Sequence, residues 1–297
     1  MEAKGDIWSV WLRKRRFGGD ENYQKYALEQ YRKLASKIVD KAEIFESATV
    51  LDVGTGDGIV GLTALSKLGV DGKLILSDIS EDALVIPKEI FNHKEIRDSR
   101  IEFLVAGVEN LSPLSENSVD RVVMRSVLLY AENKLTAFSE IFRILRHGGI
   151  AVIMEPINQR HTELRSGLFW GYRLDKEPLL SIKSLLQKVT DESNHQMNQT
   201  QSSLIGYNEH DLVKMAIRAG FEEIELEYSL IRTCKVYNSS WEFFIDTAPN
   251  PRAQTLRELM YSVLTPDEFD KAEKTLKQII QQPTVRINSN ALLILKR

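Results

Sequence analysis

The sequence predicts an α/β fold in which helices cover a doubly wound, mostly parallel sheet of about seven strands. Short apolar strands alternate with amphipathic helical segments from residue 49 onwards, and a glycine-rich turn follows the first strand. The strands are too continuously apolar to have a solvent-facing side, which is typical of parallel sheets. The predicted sheet is preceded by an N-terminal helix and interrupted by two insertions.

The elements follow from their apolar spacing and from the glycines that end them. A helix is expected over 21–45, and the predicted strands occupy 49–53, 73–77, 100–105, 119–124, 150–154, 222–230 and 287–295. Further core helices are expected at 59–68, 81–93, 135–145 and 209–219. Gly69 and Gly220 mark the ends of two of these helices, because glycine tolerates the left-handed conformation there.

Two stretches break the alternation and define the predicted domains. Residues 157–206 contain one helix near 179–189 and a polar run at 191–203, and residues 231–284 contain helices near 252–264 and 267–281. Both insertions follow the carboxyl ends of strands, so we expect them to cover a site there, with 191–203 as the most mobile part. The predicted order is an N-terminal helical segment (1–48), the core (49–156), a cap insertion (157–206), more core (207–230), a helical insertion (231–284) and a final core strand (285–297).

Charge and cysteine content exclude several classes of protein. The 39 basic and 42 acidic residues give a net charge of −3, which lacks the basic excess that drives nucleic-acid binding. With Cys234 as the one cysteine, neither an internal disulfide nor a cysteine zinc site is expected, and the histidines show no metal-ligand spacing. Without a signal peptide or a run of about 18 apolar residues, a cytoplasmic protein with no membrane span is expected.

The most informative motif is Leu-Asp-Val-Gly-Thr-Gly-Asp-Gly at 51–58, between the first strand and the next helix. Gly54 permits a sharp turn and Gly56 lets the backbone approach a ligand closely. Asp78 lies 22 residues after Gly56, at the tip of the second strand, where a carboxylate accepts hydrogen bonds from ribose hydroxyls. This spacing predicts a nucleoside-containing ligand.

The carboxylate of Asp52 distinguishes between such ligands. It lies two residues before the first glycine, where it would repel the pyrophosphate of NAD. The same carboxylate would attract the ammonium group of S-adenosylmethionine (SAM). The loop therefore favours SAM over NAD as the cofactor.

These residues resemble those of class I SAM-dependent methyltransferases, which have a Rossmann-like fold. The resemblance is closest to the small-molecule branch that includes quinone-biosynthesis C-methyltransferases and arsenite methyltransferases. Arsenite is disfavoured as the substrate, because binding As(III) takes several thiolates. The resemblance is carried by four blocks: LDVGTGDG (51–58), SDIS (77–80), ENLSPLSENSVDRVVMRSVL (109–128) and ILRHGGIAVIMEP (144–156).

The resemblance implies a role for each part of a SAM site. Asp52 and the glycine turn would surround the amino-acid end of SAM, Asp78 would hold the ribose, and Ile79 would pack on the adenine. Family members often have Asp at the position of Gly107, so here the backbone around Gly107 and Val108 is expected to contact the adenine. The predicted cofactor-binding residues are Asp52, Gly54, Thr55, Gly56, Asp78, Ile79, Gly107, Val108, Arg125 and Ser126.

Candidate catalytic residues follow the fourth and fifth strands. Glu155 ends a buried strand beside the cofactor edge, where an unpaired carboxylate would be costly, so we predict that it has a role in the site. If the acceptor atom is a hydroxyl oxygen or a carbon, Glu155 would orient or deprotonate it, directly or through His161. Tyr130 would line the same pocket. Oxygen, nitrogen and carbon all stay open as the acceptor atom.

The sequence thus predicts an enzyme that transfers a methyl group from SAM to a small organic molecule. An NAD(P)-dependent reductase is an alternative, since Tyr130 and Lys134 have the Tyr-xxx-Lys spacing of short-chain reductases. However, that pair belongs after the fifth strand in such enzymes, whereas Tyr130 follows the fourth. A non-catalytic SAM-binding protein is the other alternative, and turnover would distinguish it.

Overall fold

A computed structural model describes residues 5–93, 99–159, 164–200, 202–237 and 239–297. The chain forms two compact units, each assembled from three stretches. The core unit comprises Leu28–Ile157, Ser203–Ser229 and Ser289–Arg297. The second unit comprises Met1–Ala27, Asn158–Ser202 and Leu230–Asn288.

The strands of the described chain are β1 (Thr49–Val53), β2 (Lys73–Asp78), β3 (Ile101–Val105), β4 (Val119–Arg125), β5 (Leu145–Pro156), β6 (Leu168–Phe169), β7 (Tyr172–Arg173), β8 (Glu223–Lys235) and β9 (Thr284–Lys296). Seven of them form one sheet in the order β3-β2-β1-β4-β5-β9-β8. The first five strands pair in parallel, and β9 pairs antiparallel with β5. The predicted fold class, a mostly parallel sheet of about seven strands, is confirmed.

The helices of the described chain are α1 (Ile7–Val10), α2 (Glu21–Lys41), α3 (Ile59–Leu65), α4 (Glu81–His93), α5 (Lys134–Ile144), α6 (Lys183–Thr200), α7 (Ser202–Ile205), α8 (Glu209–Ala219), α9 (Trp241–Asp246), α10 (Leu256–Val263) and α11 (Pro266–Lys277). A π-helix spans Trp11–Arg15, and 3₁₀ turns span Leu128–Tyr130 and Leu179–Ile182. None of the helices within the described ranges has the length and apolar character needed to cross a membrane.

Both faces of the core sheet are buried. Along β1, Leu51 and Val53 pack in a cluster that includes Phe138 of α5 and Leu212 of α8. The alternate residue, Val50, packs in a second cluster with residues of α2 and α3. Since successive side chains of a strand point to opposite faces, a sheet covered on both sides needs a continuously apolar strand, as the sequence predicts.

The second unit has its own hydrophobic cluster, built from the hairpin β6–β7 and from helices α6, α9, α10 and α11. Two of these helices begin with capping boxes, Thr255 with Glu258 and Thr265 with Glu268. In each box the threonine and the glutamate satisfy backbone N–H groups that the first helical turn leaves without partners. These local signals set where α10 and α11 begin.

Several predicted boundaries differ from the structure. The helix predicted over 21–45 ends at Lys41, and Glu43 adopts a φ of +48°, outside the helical region. The polar run predicted to follow a helix near 179–189 continues that helix to Thr200. Side-chain bonds four residues apart support this polar part, with Gln187 bonded to Asp191 at 2.8 Å. The strand predicted over 222–230 extends to Lys235.

Candidate functional site

Three glycines of the turn between β1 and α3 lie in the left-handed region. Gly54, Gly56 and Gly58 have φ angles of +62°, +53° and +77°. A Cβ atom on Gly54 would lie 2.5 Å from Cγ2 of Val127, and one on Gly58 would lie 2.9 Å from Cβ of Pro87. Backbone conformation and close packing therefore both require glycine. The turn presents main-chain atoms, rather than side chains, at the carboxyl edge of the sheet.

Asp52 lies beneath this turn and is 2% exposed. Its Oδ2 atom accepts hydrogen bonds from Thr55 Oγ1 at 2.7 Å and from the backbone N–H of Gly61 at 2.8 Å. Burial raises the pKa of Asp52 to about 7, although both hydrogen bonds act in the opposite direction. Asp52 and Thr55, two predicted cofactor-binding residues, thus brace the turn from within.

Asp78, at the end of β2, is tied to the same turn. Its Oδ2 atom accepts from the backbone N–H of Gly56 at 3.1 Å, and its Oδ1 atom accepts from that of Ser80 at 3.0 Å. Thr55 donates its backbone N–H to the carbonyl of Ser77 at 2.9 Å. An ionised carboxylate accepts up to about four hydrogen bonds, so these backbone contacts are compatible with binding a ligand hydroxyl.

Next to Asp78 the surface is apolar. Ile79 is 63% exposed, so its apolar side chain is accessible to a ligand. A Cβ atom on Gly107 would lie 3.2 Å from Cδ1 of Ile79, so the glycine leaves room beside it. Val108 is buried, and the carbonyl of Gly107 accepts from the backbone N–H of Asn110. The structure therefore brings Ile79 and Gly107 together as an apolar surface suited to a flat base.

Arg125 is the last residue of β4, and Ser126 follows it directly. The guanidinium of Arg125 lies 4.6 Å from the ring centroid of Tyr31. Ser126 adopts a φ of +59°, and its backbone N–H donates to the carbonyl of Met154 at 2.8 Å. Because β4 is the sheet neighbour of β1, these two predicted residues lie at the end of the strand beside β1, which the glycine turn follows.

Glu155 lies near the end of β5 and is inaccessible to solvent. Its Oε1 atom accepts the backbone N–H groups of Val127 and Leu128 at 2.7 and 2.9 Å, and its Oε2 atom accepts that of Leu129 at 3.2 Å. Burial raises the pKa of Glu155 to about 7. Both oxygens are therefore engaged by the fold. The predicted catalytic role stays a prediction, and these contacts favour a positioning role instead.

Of the other two catalytic candidates, Tyr130 lies within the described residues and His161 does not. Tyr130 is half-buried and ends the 3₁₀ turn that Glu155 caps, with its backbone N–H donating to the carbonyl of Val127. His161 lies outside the described residues. Of the predicted catalytic residues, Tyr130 thus belongs to the turn after β4, and Glu155 binds the backbone of that turn.

A buried lysine also belongs to this region and was not among the predicted site residues. Lys134 is 8% exposed, and its Nζ atom donates to the carbonyls of Ala131 at 3.0 Å and Ser203 at 3.1 Å. It also lies 4.8 Å from the ring centroid of Tyr207, whose hydroxyl donates to the carbonyl of Pro156. Burial lowers the pKa of Lys134. In the sequence it is simply a charged first residue of a helix, which gives no signal of burial.

Comparison with known sequences agrees with this geometry. A family model described as a methyltransferase domain matches residues 44–225, more than half of the chain. The demethylmenaquinone methyltransferase of Oceanobacillus iheyensis is 24% identical over 215 residues, which cover 69% of this chain and 85% of that protein. The ubiquinone/menaquinone biosynthesis C-methyltransferase UbiE of Francisella tularensis is 25% identical over 191 residues, 64% of this chain and 73% of its own.

Solved structures share the fold at low sequence identity. The YcgJ protein of Bacillus subtilis superposes with a TM-score of 0.53 at 14% identity, covering 89% of this chain and 97% of its own. A chain from the complex containing the Haloferax volcanii Trm112 methyltransferase activator gives a TM-score of 0.54 at 16% identity, covering 99% of both chains. With the family match and the geometry of the glycine turn, these likenesses lead to one conclusion: the chain belongs to the methyltransferase-domain family and is a SAM-dependent methyltransferase.

Proposed function

We propose that this enzyme transfers the methyl group of SAM to a ring carbon of a reduced quinone. The observation that carries the choice of acceptor is the similarity to quinone-modifying relatives, one of which aligns over 85% of its own length. Those relatives are named for methylating demethylmenaquinone and for C-methylation in ubiquinone and menaquinone biosynthesis. A lipid-soluble aromatic ring is thus the acceptor class that the comparisons favour.

The residues at the carboxyl edge fit SAM as the donor. The left-handed glycine turn brings main-chain atoms to the edge, Asp78 supplies a carboxylate for ribose hydroxyls, and Ile79 with Gly107 supplies an apolar surface for adenine. When bound, SAM supplies a methyl group already activated on a positively charged sulfur. The protein therefore contributes mainly by holding the acceptor in line with that group.

Methylation at a ring carbon forms a carbon–carbon bond as the sulfur–methyl bond breaks, and the ring then loses the proton that the methyl group replaces. A phenol with a pKa near 10 becomes a better carbon nucleophile when it loses its hydroxyl proton. We propose that Tyr130 lines the acceptor pocket and assists that loss. Glu155 is given no part in this proton loss, because its oxygens already accept three backbone N–H groups.

Product analysis tests this function. We expect purified enzyme, given trideuteromethyl SAM and a chemically reduced demethylnaphthoquinone, to yield a product in which one CD₃ group replaces one hydrogen. A ring-methylated product is oxidised back to a quinone by air, whereas an O-methyl ether is not. Mass spectrometry with an ultraviolet spectrum after oxidation therefore identifies the acceptor atom.

The controls are the unreduced quinone, which lacks the phenol, and a reaction without enzyme. Label found in the ether alone would contradict carbon methylation. No label in the quinol, together with labelling of an amine acceptor under the same conditions, would contradict the proposed acceptor class.

A further inference from the structure

The turn that follows β4 is held from two sides by buried side chains, those of Glu155 and Lys134. At its start, Glu155 accepts the backbone N–H groups of Val127, Leu128 and Leu129. At its end, the ammonium group of Lys134 donates to the carbonyl of Ala131. A turn that lost these partners would leave three buried backbone N–H groups without acceptors, which is costly. The conformation of this turn therefore depends on Glu155.

The same turn contacts the glycine turn of the SAM site through one side chain. A Cβ atom built on Gly54 would lie 2.5, 3.2 and 3.4 Å from Cγ2, Cγ1 and Cβ of Val127. The isopropyl group thus packs directly on the α-carbon of Gly54. Because the N–H of Val127 is bonded to Glu155 at 2.7 Å, a short path of contacts joins the buried carboxylate to the glycine turn.

We infer that Glu155 is a positioning residue for the SAM site, which acts by holding Val127 against Gly54 and so keeps the glycine turn in its binding conformation. This role rests on the SAM site and is independent of the methyl acceptor. The raised pKa of Glu155 is consistent with deep burial of the carboxyl group, but the contacts alone define the role.

Replacing Glu155 by Gln tests this role with little change of shape. The amide has one oxygen where the carboxylate has two, and its NH₂ group would face a backbone N–H donor of the turn. We expect E155Q to bind S-adenosylhomocysteine (SAH), the demethylated product, about tenfold to a hundredfold more weakly in calorimetry. Hydrogen exchange of the amides of 127–129 should accelerate by a similar factor, while the amides of β2 keep their protection.

Asp120 provides a matched control for the loss of a buried carboxylate. It is 9% exposed, it accepts the backbone N–H of Thr49 at 2.8 Å, and it lies in the first part of β4, at the opposite edge of the sheet. Asp120 also forms an ion pair with Arg146 at 2.6 Å, so D120N removes the charge of a hydrogen-bonded, buried carboxylate in the same unit. We expect it to lower the thermal midpoint of unfolding while leaving SAH affinity within about twofold of wild type, a difference too small to indicate a lost contact.

The variant V127A tests the contact path without altering Glu155, which keeps the inference testable if E155Q does not fold. We expect V127A to weaken SAH binding, and we expect the double variant E155Q/V127A to lose less affinity than the product of the two single effects, as coupled residues do. Wild-type SAH affinity in E155Q would overturn the inference. So would equal affinity losses in E155Q and D120N, or independent effects in the double variant. The wild-type titration in the same series separates failure of the SAM site itself from failure of this role.

Discussion

Replacing Gly54 by alanine is expected to weaken SAM binding by about a hundredfold or more. The added Cβ atom would lie 2.5 Å from Cγ2 of Val127, a distance that real Cβ atoms do not adopt. The residue also has a φ of +62°, which costs a side chain roughly 1–2 kcal/mol. Overpacking adds about 1–3 kcal/mol, so the turn should shift to relieve the clash and lose its binding geometry. Calorimetry with SAM measures the loss.

Gly148 separates the two contributions. It has a similar φ of +76°, but a Cβ atom there would meet nothing within 4 Å. G148A should therefore show only the cost of the left-handed backbone, a lower free energy of unfolding by about 1–2 kcal/mol, with SAM affinity close to wild type. Equal losses of SAM affinity in G54A and G148A would show that the contact with Val127 does not matter.

Removing the carboxylate of Asp78 is expected to have the second largest effect. D78A should weaken SAM and SAH binding by about 1–3 kcal/mol, the cost of losing a charged hydrogen-bond partner, which corresponds to roughly tenfold to more than a hundredfold in affinity. Two effects contribute, because Asp78 is proposed to bind the ribose and also accepts the N–H of Gly56. Calorimetry of the variant, with its circular dichroism spectrum as a test of folding, measures the effect.

Asp71 offers a control just before the same strand. It is exposed and lies two residues before β2, whereas Asp78 ends that strand. D71A removes the same charge from the same unit, so it should leave SAM affinity close to wild type. Comparable losses in D71A and D78A would attribute the effect to net charge rather than to a contact with the ribose.

The sheet and the glycine turn were predictable because their signals are local. A buried parallel strand must be apolar throughout, and a left-handed turn with close neighbours must be glycine, so the sequence of β1 and its turn is strongly constrained. The link between Asp78 and Gly56 was foreseen as proximity at one edge, since the ends of parallel strands meet there. The structure adds that the link is a direct hydrogen bond.

The role of Glu155 was not predictable in the same way. An acidic residue at the end of a buried strand indicates that a partner exists, but the partners are backbone N–H groups 26 to 28 residues earlier in the chain. Backbone groups carry no residue-specific signal, so the sequence suggested that Glu155 acts on the substrate. In the structure its partners are the backbone N–H groups of a turn. The burial of Lys134 could not be predicted for the same reason, since both of its hydrogen-bond acceptors are main-chain carbonyls.

The length of α6 shows another limit of predicting helices from hydrophobic spacing. Its second half has no apolar stripe, so hydrophobic spacing predicted a helix only near 179–189, followed by a polar run at 191–203. The helix nevertheless continues to Thr200, where bonds such as the one between Gln196 and Glu192 join residues four apart. Such pairs contribute only about 0.2–0.5 kcal/mol each, which is enough to extend a helix that packing has already begun.

Calorimetric titration of the wild-type protein with SAM, SAH, NADH and NADPH tests the central claim most directly. Asp52 beneath the glycine turn should disfavour a pyrophosphate there, while Asp78 is proposed to bind the ribose of SAM. The account predicts saturable binding of SAM and SAH at one site per chain, with no heat of binding from either dinucleotide. Tight NADPH binding without SAM binding would contradict it.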